Sequence, residues 1–291
     1  MSWRRWSSTV ASARRALRAR GLGATDASSL VRHAFSPPMS AEALFLAPER
    51  PMSAGERTRL EGLAARRLAG EPLAYVVGVK EFWSLPFHVT PATLIPRPET
   101  ELLLDLLLQR CPDKDTPLRV LDLGTGSGCL VVAALREYPH ATGVAVDISV
   151  EALAVAARNA RDLGISHRVS FLEQDMTTLD ASAIGTFDVV LCNPPYIAAH
   201  EEALMDDHVV AYEPHTALFA ARDGLAIYEA LVPSLPALVT PRGHVLLEVG
   251  FAQAAAVADL FRGASATWSP PLIVQDLCAV PRCVAVHRVE G

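Results

Sequence analysis

Two short stretches of this 291-residue chain carry residue types and spacings suited to chemistry. The first is Asn193-Pro194-Pro195-Tyr196, directly after the apolar run Phe187–Cys192. Consecutive prolines fix the backbone, so the Asn193 side-chain oxygen and the Pro194 carbonyl can be aimed together as two acceptors. A planar NH2 group offers two donors to match them. Tyr196 adds an aromatic face for a flat amide or base, or for a sulfonium cation. In isolation the pattern is a turn. At the end of a buried strand it marks Asn193, Pro194 and Tyr196 as catalytic candidates, and Asn193 to Tyr196 as the substrate-binding set.

The second stretch is Gly124-Thr125-Gly126-Ser127-Gly128, between the strand pattern Arg119–Leu123 and a helix starting at Cys129. A glycine turn there lets a ligand approach the backbone beside a positive helix N-terminus. The dinucleotide fingerprint needs glycine where Cys129 stands, and a phosphate-cradling Walker loop needs a missing Lys-Ser/Thr pair. Asp147 ends the next strand 23 residues after Gly124, the place where a carboxylate accepts hydrogen bonds from ribose hydroxyls. With Asp122 ahead of the loop, the set suits an adenosyl ligand ending in a zwitterion rather than a pyrophosphate. The plainer alternative is that Asp122 and Asp147 merely cap the following turns; the spacing disfavours it.

These residues need a scaffold, and the pattern from about Leu118 supplies one. Strands are expected at Arg119–Leu123, 143–147, Val169–Glu173, Phe187–Cys192 and 244–249, alternating with helices at 129–138, 150–163, 225–238 and 252–261. Such alternation argues for a mostly parallel, doubly wound α/β sheet. Two closely spaced strands, Leu272–Gln275 and 283–287, predict an antiparallel edge. Ligands of such sheets sit at the carboxyl ends of the strands near the switch in strand order. Residues 1–72 read as a small helical domain, with helices near 7–20, 26–35, 40–47 and 53–69. Residues 73–92 read as a β-hairpin linker, and 93–291 as the sheet domain.

Composition narrows the function. Apolar residues make up 51% and charged ones 20%, which fits a packed globular chain. The oily run from Leu102 to Leu108 is too short to cross a bilayer, so no membrane role is expected. Net charge is −6, with two lysines against 24 arginines. A protein gripping nucleic acid through phosphates carries a basic surplus, so no direct nucleic-acid partner is expected. Residues 1–35 hold seven arginines and one acid, Asp26. This Arg- and Ser-rich start resembles a transit peptide in composition, but its helical spacing favours a surface helix. Five cysteines without a CxxC pair point to reduced thiols and a cytoplasmic setting. His200, His208 and His215 lie among acids at spacings that fit no compact metal site, and a monomer is expected.

Taken together, the glycine loop, Asp147 and NPPY resemble the S-adenosylmethionine-dependent methyltransferases that alkylate planar amino groups. Within them the chain is most similar to the peptide-chain release factor glutamine methyltransferases, the PrmC/HemK family. The resemblance rests on Glu71-Pro72-Leu73-Ala74-Tyr75 with Gly78, on Glu81-Phe82-Trp83, and on Ile95-Pro96-Arg97-Pro98-Glu99-Thr100-Glu101. It continues through LDLGTGSG, VDIS at 146–149, CNPPYI, Tyr212-Glu213-Pro214 and Asp223-Gly224-Leu225. It implies a class I methyltransferase sheet, S-adenosyl-L-methionine as cofactor, and class I release factors as partners. The methyl group would go to the side-chain N5 of the glutamine in their GGQ loop. By resemblance, Gly124, Thr125, Gly126, Ser127 and Gly128 hold the methionine end, Asp147 the ribose, and Asp175 with Met176 the adenine. Asn193 to Tyr196 hold the glutamine, with Asn193 also in the cofactor-binding set, Leu94 and IPRPET close over the donor, and the front helices read the protein substrate.

The chain departs from the family pattern at Ala220-Ala221-Arg222, where a glycine pair is usual, at His208, and along Asp276 to Arg282. Rival readings are a ribosomal-protein glutamine or an adenine N6 as acceptor, a catalytically silent binding module, and an NAD-dependent oxidoreductase. The missing target-reading domain, the intact motif residues and Cys129 respectively count against them.

Overall fold

The computed structural model describes residues 9–264 and 266–290. It divides between Val79 and Lys80 into two compact units.

In the first unit the helices are α1 (Val10–Arg18), α2 (Ala24–His33), α3 (Ala41–Leu46), α4 (Ala54–Leu68) and α5 (Leu73–Val77). Three of them start at hydroxyl N-caps, which satisfy N–H groups a helix end would leave open. Thr9 and Ser40 cap α1 and α3, and Ser53 forms a reciprocal capping box with Glu56. Val10, Leu17, Leu30, Val31, Leu44 and Leu60 are buried in one core. The early part of the helix expected from residue 7 lies outside the described residues. The hairpin expected from residue 73 begins only at Val79. Tyr75, Val76 and Val77 favour a strand, yet they form a helical turn that Pro72 opens and left-handed Gly78 (φ 77°) closes.

From the boundary residue Val79 the chain enters β1 (Val79–Phe82) and then β2 (Leu85–His88), a two-stranded sheet turning at Trp83 and Ser84. Both turn residues have positive φ, 52° and 57°, as a two-residue hairpin loop requires. Then come α6 (Glu101–Arg110), β3 (Arg119–Leu123), α7 (Cys129–Glu137), β4 (Thr142–Asp147), α8 (Val150–Asp162), β5 (Val169–Glu173), α9 (Ala181–Ile184) and β6 (Phe187–Cys192). The chain continues through α10 (Asp207–Tyr212), α11 (His215–Leu218), α12 (Ala226–Leu231), α13 (Leu235–Leu238), β7 (Val239–Glu248), α14 (Ala254–Gly263), β8 (Leu272–Gln275) and β9 (Pro281–His287).

The seven large strands run in the order β5-β4-β3-β6-β7-β9-β8. β3 to β7 are mutually parallel, and β9 runs antiparallel to both β7 and β8. This is the doubly wound α/β sheet with an antiparallel edge. The order reverses between β3 and β6, which creates a ligand crevice at their carboxyl ends. One sheet face packs Leu130, Val132 and Leu135 of α7 with Leu103 and Leu107 of α6. The other packs Tyr228, Leu235, Val257 and Phe261.

Three elements differ from the sequence reading. The leucine run 102–108 is the helix α6, apolar nearly all round because it sits inside the core. The single helix expected over 225–238 breaks into α12 and α13 at Pro233, which lacks the N–H a helix interior needs. β7 starts five residues before the expected His244. Its register shifts against β6 where Arg242 takes φ 66°, so Pro241-Arg242-Gly243 form an irregularity within the strand. Among the described residues no helix is long and apolar enough to cross a membrane.

Candidate active site

Parallel register decides which residues meet. Leu123 pairs with Val146 and with Cys192, and Cys192 pairs with Leu247. The next residues along, Gly124, Asp147, Asn193 and Glu248, therefore gather at the carboxyl ends of the strands. A cavity of about 350 Å³ opens there. Its lining includes Gly124, Thr125, Gly126, Ser127, Asp147, Asp175, Met176, Asn193 and Pro195. Residues 92–94, Pro96, Arg97 and Thr100 close another side.

The glycine-loop wall is mostly backbone. Asp122, fully buried, accepts hydrogen bonds from Thr125 Oγ1 at 2.6 Å and from the Val131 amide at 3.2 Å. Burial still pushes its carboxyl up to about 7. Asp122 thus braces the loop from within, the turn-capping role first read as the lesser alternative. Asp147 also braces the turns, accepting from the Gly126 amide at 2.8 Å and the Ser149 amide at 2.9 Å, and it lines the cavity. Asp175 caps the short 3-10 turn Met176–Thr178 through the Thr177 amide (2.8 Å) and also faces the cavity.

Two glycines show what the loop leaves room for. A Cβ on Gly124 (φ 70°) would stand 2.8 Å from Met176, whereas one on Gly126 (φ 54°) would meet nothing within 4 Å. The backbone over Gly126 is open to a ligand, beside a carboxylate placed for hydroxyls. These residues fit an adenosyl cofactor. Gly128 parts company with the other four loop residues. It is the left-handed N-cap of α7, a Cβ there would press on Ala156 at 3.0 Å, and it is absent from the lining.

The opposite wall is aimed by side chains. Asn193 Nδ2 donates to Thr100 Oγ1 at 3.0 Å. Pro194 is buried and, like Tyr196, does not line the cavity; Pro195 does. Tyr196 Oη donates to Glu248 Oε1 at 3.2 Å, and its ring lines a neighbouring groove with Gly250 and Gln253. Burial raises the Tyr196 hydroxyl well above its usual range. It also pushes Glu248 up to about 7, against the pull of the Thr100 and Tyr196 hydroxyls that face it. Gln253 Nε2 donates to the Tyr196 carbonyl (2.7 Å) and the Asp223 carbonyl (3.1 Å), and its Oε1 accepts from the Gly250 amide (3.0 Å). A Cβ on Gly224 would lie 2.0 Å from the Tyr196 carbonyl, so only glycine fits. Over the cavity, buried Glu213 accepts from Arg97 Nη2 at 2.6 Å and the Ile95 amide at 3.0 Å, which pins the 95–97 segment down.

Sequence reasoning missed Glu248, Gln253 and Asn159. The last bridges the Ser127 carbonyl (2.8 Å) and the backbone of His88 (2.7 and 2.9 Å), steadying the glycine loop. A lone acid ending the apolar run Val245-Leu246-Leu247 was a usable signal for Glu248. At the departures, Arg222 and Asp223 hold positive φ (55° and 53°) and Arg222 pairs with Glu229 at 2.9 Å. The His208 amide donates to Asp206. Asp276 gathers the Cys278 and Val280 amides and Arg282 Nε into a turn.

Comparison with known proteins follows the same outline. Residues 9–78 match the PrmC N-terminal domain, and residues 114–246 match a methyltransferase domain. A release factor glutamine methyltransferase of Burkholderia pseudomallei is 43% identical over 87% of this chain and 89% of its own length. One from Nitratidesulfovibrio vulgaris is 38% identical over 84% of this chain and 82% of its own. The chain belongs to the release factor glutamine methyltransferases. Within this family it keeps the sheet of methyltransferases at large. A Pyrococcus furiosus methyltransferase structure, 17% identical, superposes with a TM-score of 0.51 over 78% of this chain and 98% of its own.

Proposed function

We infer that this family member transfers a methyl group from S-adenosyl-L-methionine to the side-chain N5 of the glutamine in the GGQ loop of peptide-chain release factors. The observation that carries the reading is the commitment of Asn193 Nδ2 to Thr100. With its NH2 engaged there, Asn193 keeps its Oδ1 as an acceptor at a wall of the cavity it shares with the glycine loop. An amide oxygen in that place suits the NH2 of a guest carboxamide.

The residue roles follow. Gly124 to Ser127 receive the methionine end, Asp147 the ribose hydroxyls, and Asp175 with Met176 the adenine. When bound, the cofactor supplies an electrophilic methyl carbon on a sulfonium. An amide nitrogen is a weak nucleophile because its lone pair is delocalised, so alignment must supply most of the rate. Asn193 Oδ1 accepts from the guest NH2 and fixes its direction, while Pro194, buried outside the cavity lining, stiffens the backbone beside it. Held groups of this kind gain up to about 7–11 kcal/mol in well-aligned reactions. Tyr196 acts from behind, as a pillar between Glu248 and Gln253. The 95–97 segment, pinned by Glu213, keeps bulk water from the cavity. Residues of the N-terminal helical unit are assigned to reading the release factor. The chain is assigned to act as a monomer in the cytoplasm, a setting that suits its five free thiols.

Mass spectrometry of a purified release factor incubated with enzyme and cofactor tests the assignment. One added methyl on the GGQ glutamine is expected. An unmodified release factor, with methylation instead on a duplex oligonucleotide or a ribosomal protein, would overturn it.

A further inference from the structure

The Asn193 amide has two possible orientations about its last bond, and only one presents an acceptor to the guest. Thr100 discriminates between them. It is 2% exposed, sits where the 95–100 segment enters α6, and accepts from Asn193 Nδ2 at 3.0 Å. A hydroxyl has one proton and two lone pairs, so what matters is where that proton goes. Glu248, also 2% exposed, faces the Thr100 hydroxyl and already accepts from Tyr196. Glu248 in its ionised form draws the Thr100 proton toward itself. The lone pairs of Thr100 are then left for the Asn193 NH2, and the reversed amide would set oxygen against oxygen.

We propose that Thr100 is a positioning residue, holding the Asn193 carboxamide with its oxygen toward the substrate glutamine while ionised Glu248 orients the Thr100 and Tyr196 hydroxyls as donors toward itself. Asn193 and Tyr196, the two ends of the NPPY motif, are thereby referred to one buried carboxyl on the adjacent strand. The inference rests on the assignment of Asn193 as the acceptor of the guest NH2.

Single-turnover methylation of a release factor by Thr100→Val, Thr100→Ser, Asn193→Ala and the Thr100→Val/Asn193→Ala pair tests it, with cofactor affinity followed by calorimetry. Thr100→Val preserves shape but cannot accept, so the rate should fall, by up to about 100-fold for a misplaced group, while cofactor affinity holds. Thr100→Ser should restore most of the rate. In the Asn193→Ala background Thr100→Val should cost nothing further, because it acts only through Asn193. Additive losses in the pair, or wild-type turnover in Thr100→Val, would overturn the role of Thr100 and leave Asn193 in place. Wild-type turnover in Asn193→Ala would instead remove the underlying assignment. Should Thr100→Val fail to fold, Thr100→Cys, whose sulfur is a weak acceptor, carries the same expectations.

Discussion

On the glycine-loop wall the supports reach shorter distances along the chain: Asp122 to Thr125 and Val131, three and nine residues ahead, Asp147 to Gly126 over 21 and Asn159 to Ser127 over 32. Across the cavity, Asn193 leans on Thr100, 93 residues away, and Tyr196 on Glu248 and Gln253, 52 and 57 residues away. The first wall is a backbone shape, begun by local bonds and steadied by two more distant side chains. The second is a set of side-chain directions, and only tertiary packing can fix those. A wall of the first kind binds, whereas a wall of the second kind aims.

That contrast breaks if substitutions on the two walls have the same kinetic signature. Asn193→Ala should show the largest effect, a loss in kcat on the order of 100- to 1,000-fold, as for one preorganised hydrogen-bonding group. Cofactor affinity, read by calorimetry, should stay near wild type. Asp147→Ala should do the reverse: two loop amides lose their acceptor and the cofactor a carboxylate. Charge-assisted bonds of this sort are worth about 1.5–3 kcal/mol, so the cofactor Kd should rise by roughly 10- to 100-fold. Equal loss of affinity in both variants would erase the distinction.

Gly224→Ala sharpens it from the side of stability. Its Cβ would meet the Tyr196 carbonyl and Gln253 together, and overpacking of this kind costs about 1–3 kcal/mol. The loss should appear in denaturant unfolding together with reduced kcat. A Gly126→Ala change, into open space, should leave stability nearer wild type and weaken cofactor binding.

The smallest effect expected is on pH dependence. Burial raises Glu248 from 4.5 to about 7, so folding favours its protonated form. That contribution is complete below pH 4.5 and is lost as pH climbs through about 7. Asp122 behaves alike. Thermal melts across this window should show stability falling with pH, with a shallower fall in Glu248→Gln. An unchanged slope in that variant would mean that Glu248 ionises as freely folded as unfolded.

The same contrast explains what the sequence made legible. The strand-loop-helix around Gly124, Asp147 after the second strand and NPPY after the fourth could all be read, because each is a local pattern anchored to one strand end. The mostly parallel sheet followed from the alternation. Glu248 and Gln253 could not be read as partners of Tyr196, since no spacing rule links residues that parallel register alone brings together. At Gly128 one motif serves two purposes that spacing does not separate: four of its residues line the cavity and the fifth packs a helix on Ala156. The helical turn at 73–77 was hidden by strand-favouring side chains, and the split between α12 and α13 by an apolar pattern running across Pro233.

Arg97 and Thr100 stand three residues apart on one short segment, the former clasped by Glu213 and the latter touching Asn193. Any displacement of that segment would undo both contacts at once, the ion pair over the cavity and the hydrogen bond that anchors the carboxamide.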